Sequence, residues 1–124
     1  MPPTLTASPL CHYRDELGEG PVWDQRRGLL LWVDIPAGLV REWDPTSGDE
    51  REYRLGGEVS AVAPRAGGGL VVAAGDRLLS LDGETTETLV EIEPGLRSNR
   101  TNDCRCDPGG RLWIGTMSRS LTPG

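Results

Sequence analysis

An all-β chain of repeated blades, a β-propeller, is the fold class that the sequence predicts, and three observations predict it. Gly 17 and Pro 10 together make 27 of 124 residues, about twice the roughly 12% of average usage, so the chain turns often and has little room for long helices. Three apolar stretches each follow a glycine at a constant interval: LLLWVD after Gly28, LVVAAG after Gly69 and RLWIGT after Gly110, 41 residues apart each time. Each full interval holds four short strand-like segments, the content of a propeller blade. A β-sandwich would show strands every 8–12 residues without the longer period.

The elements follow in order. The post-glycine stretches are too short and too rich in β-branched or aromatic residues for helices, which predicts strands at 29–34, 70–74 and 111–115. A second strand follows the first two of them, at 39–44 and 77–82, each ending in an Asp before turn residues (Asp44-Pro45, Asp82-Gly83). More polar third strands fall at 50–55 and 87–92, and the segments 59–64 and 102–108 lead into the next glycine. The resulting organisation is an N-terminal segment (1–12), a first blade (13–54), a second blade (55–97) and the start of a third (98–124). Propellers close with 4–8 blades, so about two and a half blades predict either a piece of a longer protein or copies that assemble into a ring. The four tryptophans are expected to fill the space between sheets.

Composition narrows the partners. Lys+Arg 13 against Asp+Glu 19 gives a net charge of -6 with scattered basic residues, which argues against nucleic acid and anionic membranes. No window of about 18 apolar residues occurs and the start MPPTLTASPL has no secretion signal, so a cytoplasmic protein is expected. Cys11, Cys104 and Cys106 are odd in number and include no C-x-x-C, which fits free thiols in a reducing compartment. With His12 the sole histidine and no G-x-S-x-G, P-loop, H-E-x-x-H or EF-hand pattern, what remains is carboxylate and amide chemistry, suited to hard divalent cations.

Two segments are candidates for that chemistry, both read as loops. In LGEGPVWD at 17–24, Glu19 stands between Gly18 and Gly20 with Pro21 after it. Such a carboxylate serves either as a metal ligand on a sharp bend or as a solvated turn residue. In SNRTNDCRCDPGGRLWIGTM at 98–117, Asn99, Arg100, Asn102 and Asp103 gather polar groups before a strand, suited to orienting the hydroxyls and carbonyl of a small polar substrate or to an ordinary Asx turn.

LGEGPVWD, GLLLWVDI and NRTND followed by DPGGRLWIGTM, in this order and spacing, resemble the family of senescence marker protein-30 (regucalcin), gluconolactonases and luciferin-regenerating enzymes. The resemblance runs from about residue 13 to 120. It implies a six-bladed propeller that hydrolyses sugar lactones, with one divalent metal (calcium, zinc, magnesium or manganese) bound by a glutamate, an asparagine and an aspartate from different blades. The metal-binding glutamate falls on Glu19, and the substrate-holding arginine and asparagine fall on Arg100 and Asn102. Asp103 matches an aspartate expected to shape the loop. The sequence departs at Cys104, where the family carries glycine, and at Ser118-Arg119-Ser120, where some animal members carry a sugar-contacting glutamate. The family's metal-binding asparagine and catalytic aspartate have no counterpart in these residues and are expected beyond residue 124. The expected function is thus that of a metal-dependent lactonase, with this chain an inactive part of it. The alternative is a calcium-binding or interaction propeller without hydrolase activity.

Overall fold

A computed structural model describes residues 1–121, and they form ten strands: β1 (Gly18–Asp24), β2 (Leu29–Asp34), β3 (Leu39–Trp43), β4 (Glu50–Arg54), β5 (Val59–Pro64), β6 (Leu70–Ala74), β7 (Arg77–Asp82), β8 (Thr85–Glu91), β9 (Asn99–Cys106) and β10 (Leu112–Ser118). They make three antiparallel sheets of consecutive strands, β1-β2-β3-β4, β5-β6-β7-β8 and the hairpin β9-β10. Sheet one packs on sheet two through β2 and β5, and sheet two packs on the hairpin through β5 and β6 against β9. This is a stack of two four-stranded blades and the first half of a third. No helix in it is long and apolar enough to cross a membrane.

The 41-residue interval has a backbone cause. Gly28, Gly69 and Gly110 all adopt left-handed conformations, with φ of 68°, 68° and 80°, and each closes the turn that leads into the second strand of its sheet. At Gly69 a side chain is also sterically excluded, because a Cβ would stand 2.7 Å from the Leu81 carbonyl oxygen. The apolar residues that follow fill the core. Leu31 and Val33 of β2, Val59 and Val62 of β5 and Val72 of β6 are fully or almost fully buried between the sheets.

Two segments read as loops are strands. Residues 18–24 form β1, because Gly20, at φ 59°, and Pro21 fall within a β-bulge between Glu19 and Val22. A bulge interrupts the ladder, so a residue without an N–H is accommodated there. Residues 99–106 form β9, three residues earlier than the strand expected at 102–108, and the polar run 99–103 lies inside it. The tryptophans also depart from expectation. Trp113 is 62% exposed and Trp23 is 52% exposed. Trp113 stands one and two 41-residue steps after Val72 and Leu31, both at 0%. Those two lie in the core formed by the packed first and second sheets, and no sheet follows the hairpin among the described residues.

Charged groups are buried inside the first blade and are paired there. Asp24 accepts hydrogen bonds from the Arg26 and Arg27 amides (3.1 and 3.2 Å) and from Arg27 Nε (2.6 Å), and Arg27 Nη1 donates to buried Glu42 (2.7 Å). Asp34 accepts from the amides of Glu16 and Leu17. Arg41 bridges Asp15 and Glu52 and lies 3.9 Å over the Tyr13 ring, which fastens residues 13–17 across the blade.

Burial pushes the Asp24 carboxyl up, but the hydrogen bonds from Arg27 and Arg26 outweigh it and hold it below the usual carboxylate value. Its contribution is therefore present above the unfolded value of about 3.9 and is lost as pH falls through the lower folded value. Asp24→Asn is expected to cost about 1–3 kcal/mol at pH 7, with the gap to the parent chain closing below about pH 4. Urea titrations at pH 7 and pH 3 check both signs. In the same assay Gly28→Ala, whose methyl meets open space, is expected to cost about 1–2 kcal/mol from its φ alone. Gly69→Ala is expected to cost more, because the Leu81 carbonyl must also move.

Candidate functional site

The three strands that begin the sheets, β1, β5 and β9, lie side by side, β1 against β5 and β5 against β9. Each carries one bulge near its start, between Glu19 and Val22, between Val59 and Ala61, and between Thr101 and Cys104, where Asn102 and Asp103 face Gly115. Glu19 pairs with Val33, and Val33 and Gly115 are two 41-residue steps apart. Glu19 and Asn102 therefore hold corresponding places in the first and third sheets. The bulged residues are Gly20 and Pro21 in β1, Ser60 in β5, and Asn102 and Asp103 in β9.

Polar contacts fix the spacing between the strands. Gly20 lies beside the Ser60 carbonyl, 4.0 Å from where a Cβ would stand. Ser60 Oγ is 3.0 Å from Thr101 Oγ1, and those residues are again 41 apart. The Gly75 carbonyl accepts from both the amide of Thr101 (2.7 Å) and its hydroxyl (2.9 Å). Thr101 is fully buried, so its two neighbours, Arg100 and Asn102, project from an anchored point.

Arg100 and Asn102 are brought together. Arg100 Nη1 donates to the Thr101 carbonyl (2.9 Å) and reaches Asn102 Oδ1 at 3.4 Å. Both are half-buried, and Asp103 is exposed. A guanidinium and an amide held this way present several donors and an acceptor to a polyhydroxylated ligand. Glu19 is exposed and makes no hydrogen bond to either of them among the described residues. Cys104, in the place after Asp103, has its thiol pushed up to about 11 by burial, with the charges of Asp103 and Cys106 adding to it. It is protonated at neutral pH, which makes it a poor nucleophile.

The donor set does not amount to a metal site. No group of three or more His, Cys, Asp and Glu among the described residues is gathered to hold an ion. Calcium takes 6–8 oxygens, and Glu19 offers one carboxylate. The residues present thus do not fit a divalent cation on their own.

Sequence reasoning missed the groups that brace the site. Glu93, held at φ 49°, accepts from Asn99 Nδ2 (2.9 Å) and Thr116 Oγ1 (3.1 Å). Arg119 bridges Glu58 and the backbone of residues 97–99. Thr101 alone had a legible signal, its 41-residue spacing from Ser60. A cavity of about 620 Å³ lined in part by Asn99, Arg97 and Arg119 opens beside this brace.

Residues 17–124 match the model of the SMP-30/gluconolactonase/LRE-like region. The chain is 36% identical over 110 residues to regucalcin of Xenopus laevis, covering 87% of this chain and 37% of the relative. It is 41% identical over 103 residues to 6-deoxy-6-sulfogluconolactonase of Pseudomonas putida, covering 82% and 35%. Among solved structures, a calcium-binding regucalcin from Agrobacterium tumefaciens superimposes with a TM-score of 0.80 at 34% identity, over 90% of this chain and 38% of that one. The chain spans a little over a third of the length of these relatives. On the family model, the shared sequence and the shared stack of blades, the chain belongs to the SMP-30/gluconolactonase/luciferin-regenerating-enzyme-like family.

Proposed function

We propose that these residues are part of a sugar-lactone hydrolase, in which Arg100 and Asn102 hold the hydroxyls and the ring carbonyl region of the substrate. The observation that carries the reading is the Arg100–Asn102 pair flanking the buried anchor Thr101, on a chain related to a sulfogluconolactonase. Charge-assisted hydrogen bonds from a fixed guanidinium orient a polyol, and orientation lowers the barrier to attack by water. Glu19 is the one carboxylate that the chain would contribute to a divalent cation. Further ligands and the base that takes the proton from water would come from outside these residues. The 124-residue chain then binds the sugar without turning it over.

A second reading, a calcium-binding or interaction propeller without hydrolase activity, is favoured by one observation. Ser118-Arg119-Ser120 presents no carboxylate at the end of β10, and Arg119 is engaged in structural contacts there.

Acid release from glucono-1,5-lactone in a pH-stat separates the readings. The chain alone is expected to leave the spontaneous rate unchanged. A chimera in which it replaces the matching part of the Pseudomonas lactonase is expected to hydrolyse an aldonolactone, and Arg100→Ala is expected to lower kcat/KM about 10- to 100-fold. A folded chimera without turnover sinks the lactonase reading in favour of the second. For the chain alone, 1 mM calcium is expected to raise Tm by less than about 2 °C, because a ligand at or below its Kd adds less than about 0.5 kcal/mol. A rise of several degrees in a thermal melt would show a complete ion site.

A further inference from the structure

We infer that Arg119, paired with Glu58, is a positioning residue that holds the approach to Arg100 in place, an inference that rests on the reading of Arg100 and Asn102 as the substrate-holding pair. Arg119 follows the last residue of β10, and its amide donates to the Ser98 carbonyl (2.8 Å). Its Nη1 donates to the carbonyls of Arg97 (2.7 Å) and Asn99. Three successive carbonyls leading into Arg100 thus all accept from one residue. Nε and Nη2 of the same guanidinium each lie 3.0 Å from Glu58 Oε2. Glu58 immediately precedes β5, the strand whose Ser60 meets Thr101, so the fork ties the lead-in of β9 to the second blade at a second point.

The planar fork makes this possible. A guanidinium directs several N–H groups at fixed angles, and a lysine ammonium cannot serve two carbonyls and a carboxylate in that geometry. Thr101 pins β9 on one side of Arg100. Without the fork, the segment on the other side keeps its ladder pairing with β10 at Met117 and Ser118, the Glu93–Asn99 bond and the Asn99 amide to the Leu96 carbonyl, but nothing ties it to the second blade through Glu58. Arg119 and Glu58 are both more than one-third exposed on their side chains, so their pairing contributes little to global stability. Their effect is local order where the substrate-holding pair begins.

Arg119→Gln, Arg119→Lys and Glu58→Gln in the 124-residue chain test this by NMR with D-gluconate as the probe. In Arg119→Gln, amide exchange at Asn99 and at residue 119 is expected to rise at least about tenfold while Val62 and Val72 keep their protection. Gluconate affinity, followed at the Arg100 and Asn102 side-chain resonances, is expected to fall about tenfold, with Arg119→Lys and Glu58→Gln in between. Parent-like exchange at residues 99 and 119 overturns the inference, and so does unchanged gluconate affinity despite faster exchange. If gluconate leaves those resonances of the parent chain unmoved, the lactone reading of the site fails, and the exchange rates alone then decide the role of Arg119. Loss of protection throughout the core in Arg119→Gln would show a global structural role and also overturn it.

Discussion

The contact between Ser60 and Thr101 is the one on which the geometry of the site depends. Two hydroxyls 3.0 Å apart, one of them fully buried and both in a 41-residue register, join the first strands of the second and third sheets where an apolar pair would have served packing alone. The Gly75 carbonyl completes the arrangement by accepting from both donors of Thr101. A buried polar contact is costly to leave half made, so the third sheet has one favourable register against the second. Apolar packing tolerates sliding, but a hydroxyl pair with a shared carbonyl does not. The positions of Arg100 and Asn102, one residue to either side, follow from that register.

The first blade solves a related problem with charge. Asp24, Asp34 and Glu42 are each less than 5% exposed, yet each has donors: Arg27 between Asp24 and Glu42, and two main-chain amides on Asp34. Arg41, buried under Tyr13, is balanced by Asp15 and Glu52. Arg41 and Glu42 lie within β3, while Asp24 and Asp34 end β1 and β2, where strands change direction and amides lack ladder partners. Carboxylates there satisfy amides that would otherwise be orphaned. Within a chain of net charge -6, the arginines are therefore spent on internal carboxylates and carbonyls, Arg119 included.

The legible part of the fold was what the glycine period carries. Gly28, Gly69 and Gly110 announce β2, β6 and β10 because a left-handed turn residue and an apolar run are both visible in sequence. The segment Gly18–Asp24 was not legible as a strand, because Gly-Glu-Gly-Pro reads as a bend unless the bulge that absorbs it is known. The same applies to β9, whose bulge at Asn102 and Asp103 breaks the alternation that marks a strand. Of the site, Glu19, Arg100 and Asn102 stand out in the sequence as polar groups in Gly- and Asn-rich segments, while their separate roles come only from the resemblance to a family. The Arg119–Glu58 brace, spanning 61 residues, matches no period and has no local signature. Trp113 misled for a different reason: its neighbours in sequence predict burial, and only the position of the sheet at the end of the stack exposes it.

That exposure and the site are physically coupled. On β10, Trp113, Gly115 and Met117 share one face, and their partners on β9 are Arg105, the bulge of Asn102 and Asp103, and Arg100. The opposite face carries Leu112, Ile114 and Thr116, with Thr101 against the second blade. The Arg100–Asn102 pair thus begins on the face that no sheet of the described residues covers. A surface laid over Trp113 would gain on the order of 2–3 kcal/mol from removing the indole from water. It would also lower the local dielectric around Arg100 and Asn102, so that any hydrogen bond they make there strengthens. A cover on this face would therefore add stability and shield Arg100 and Asn102 from water at the same time.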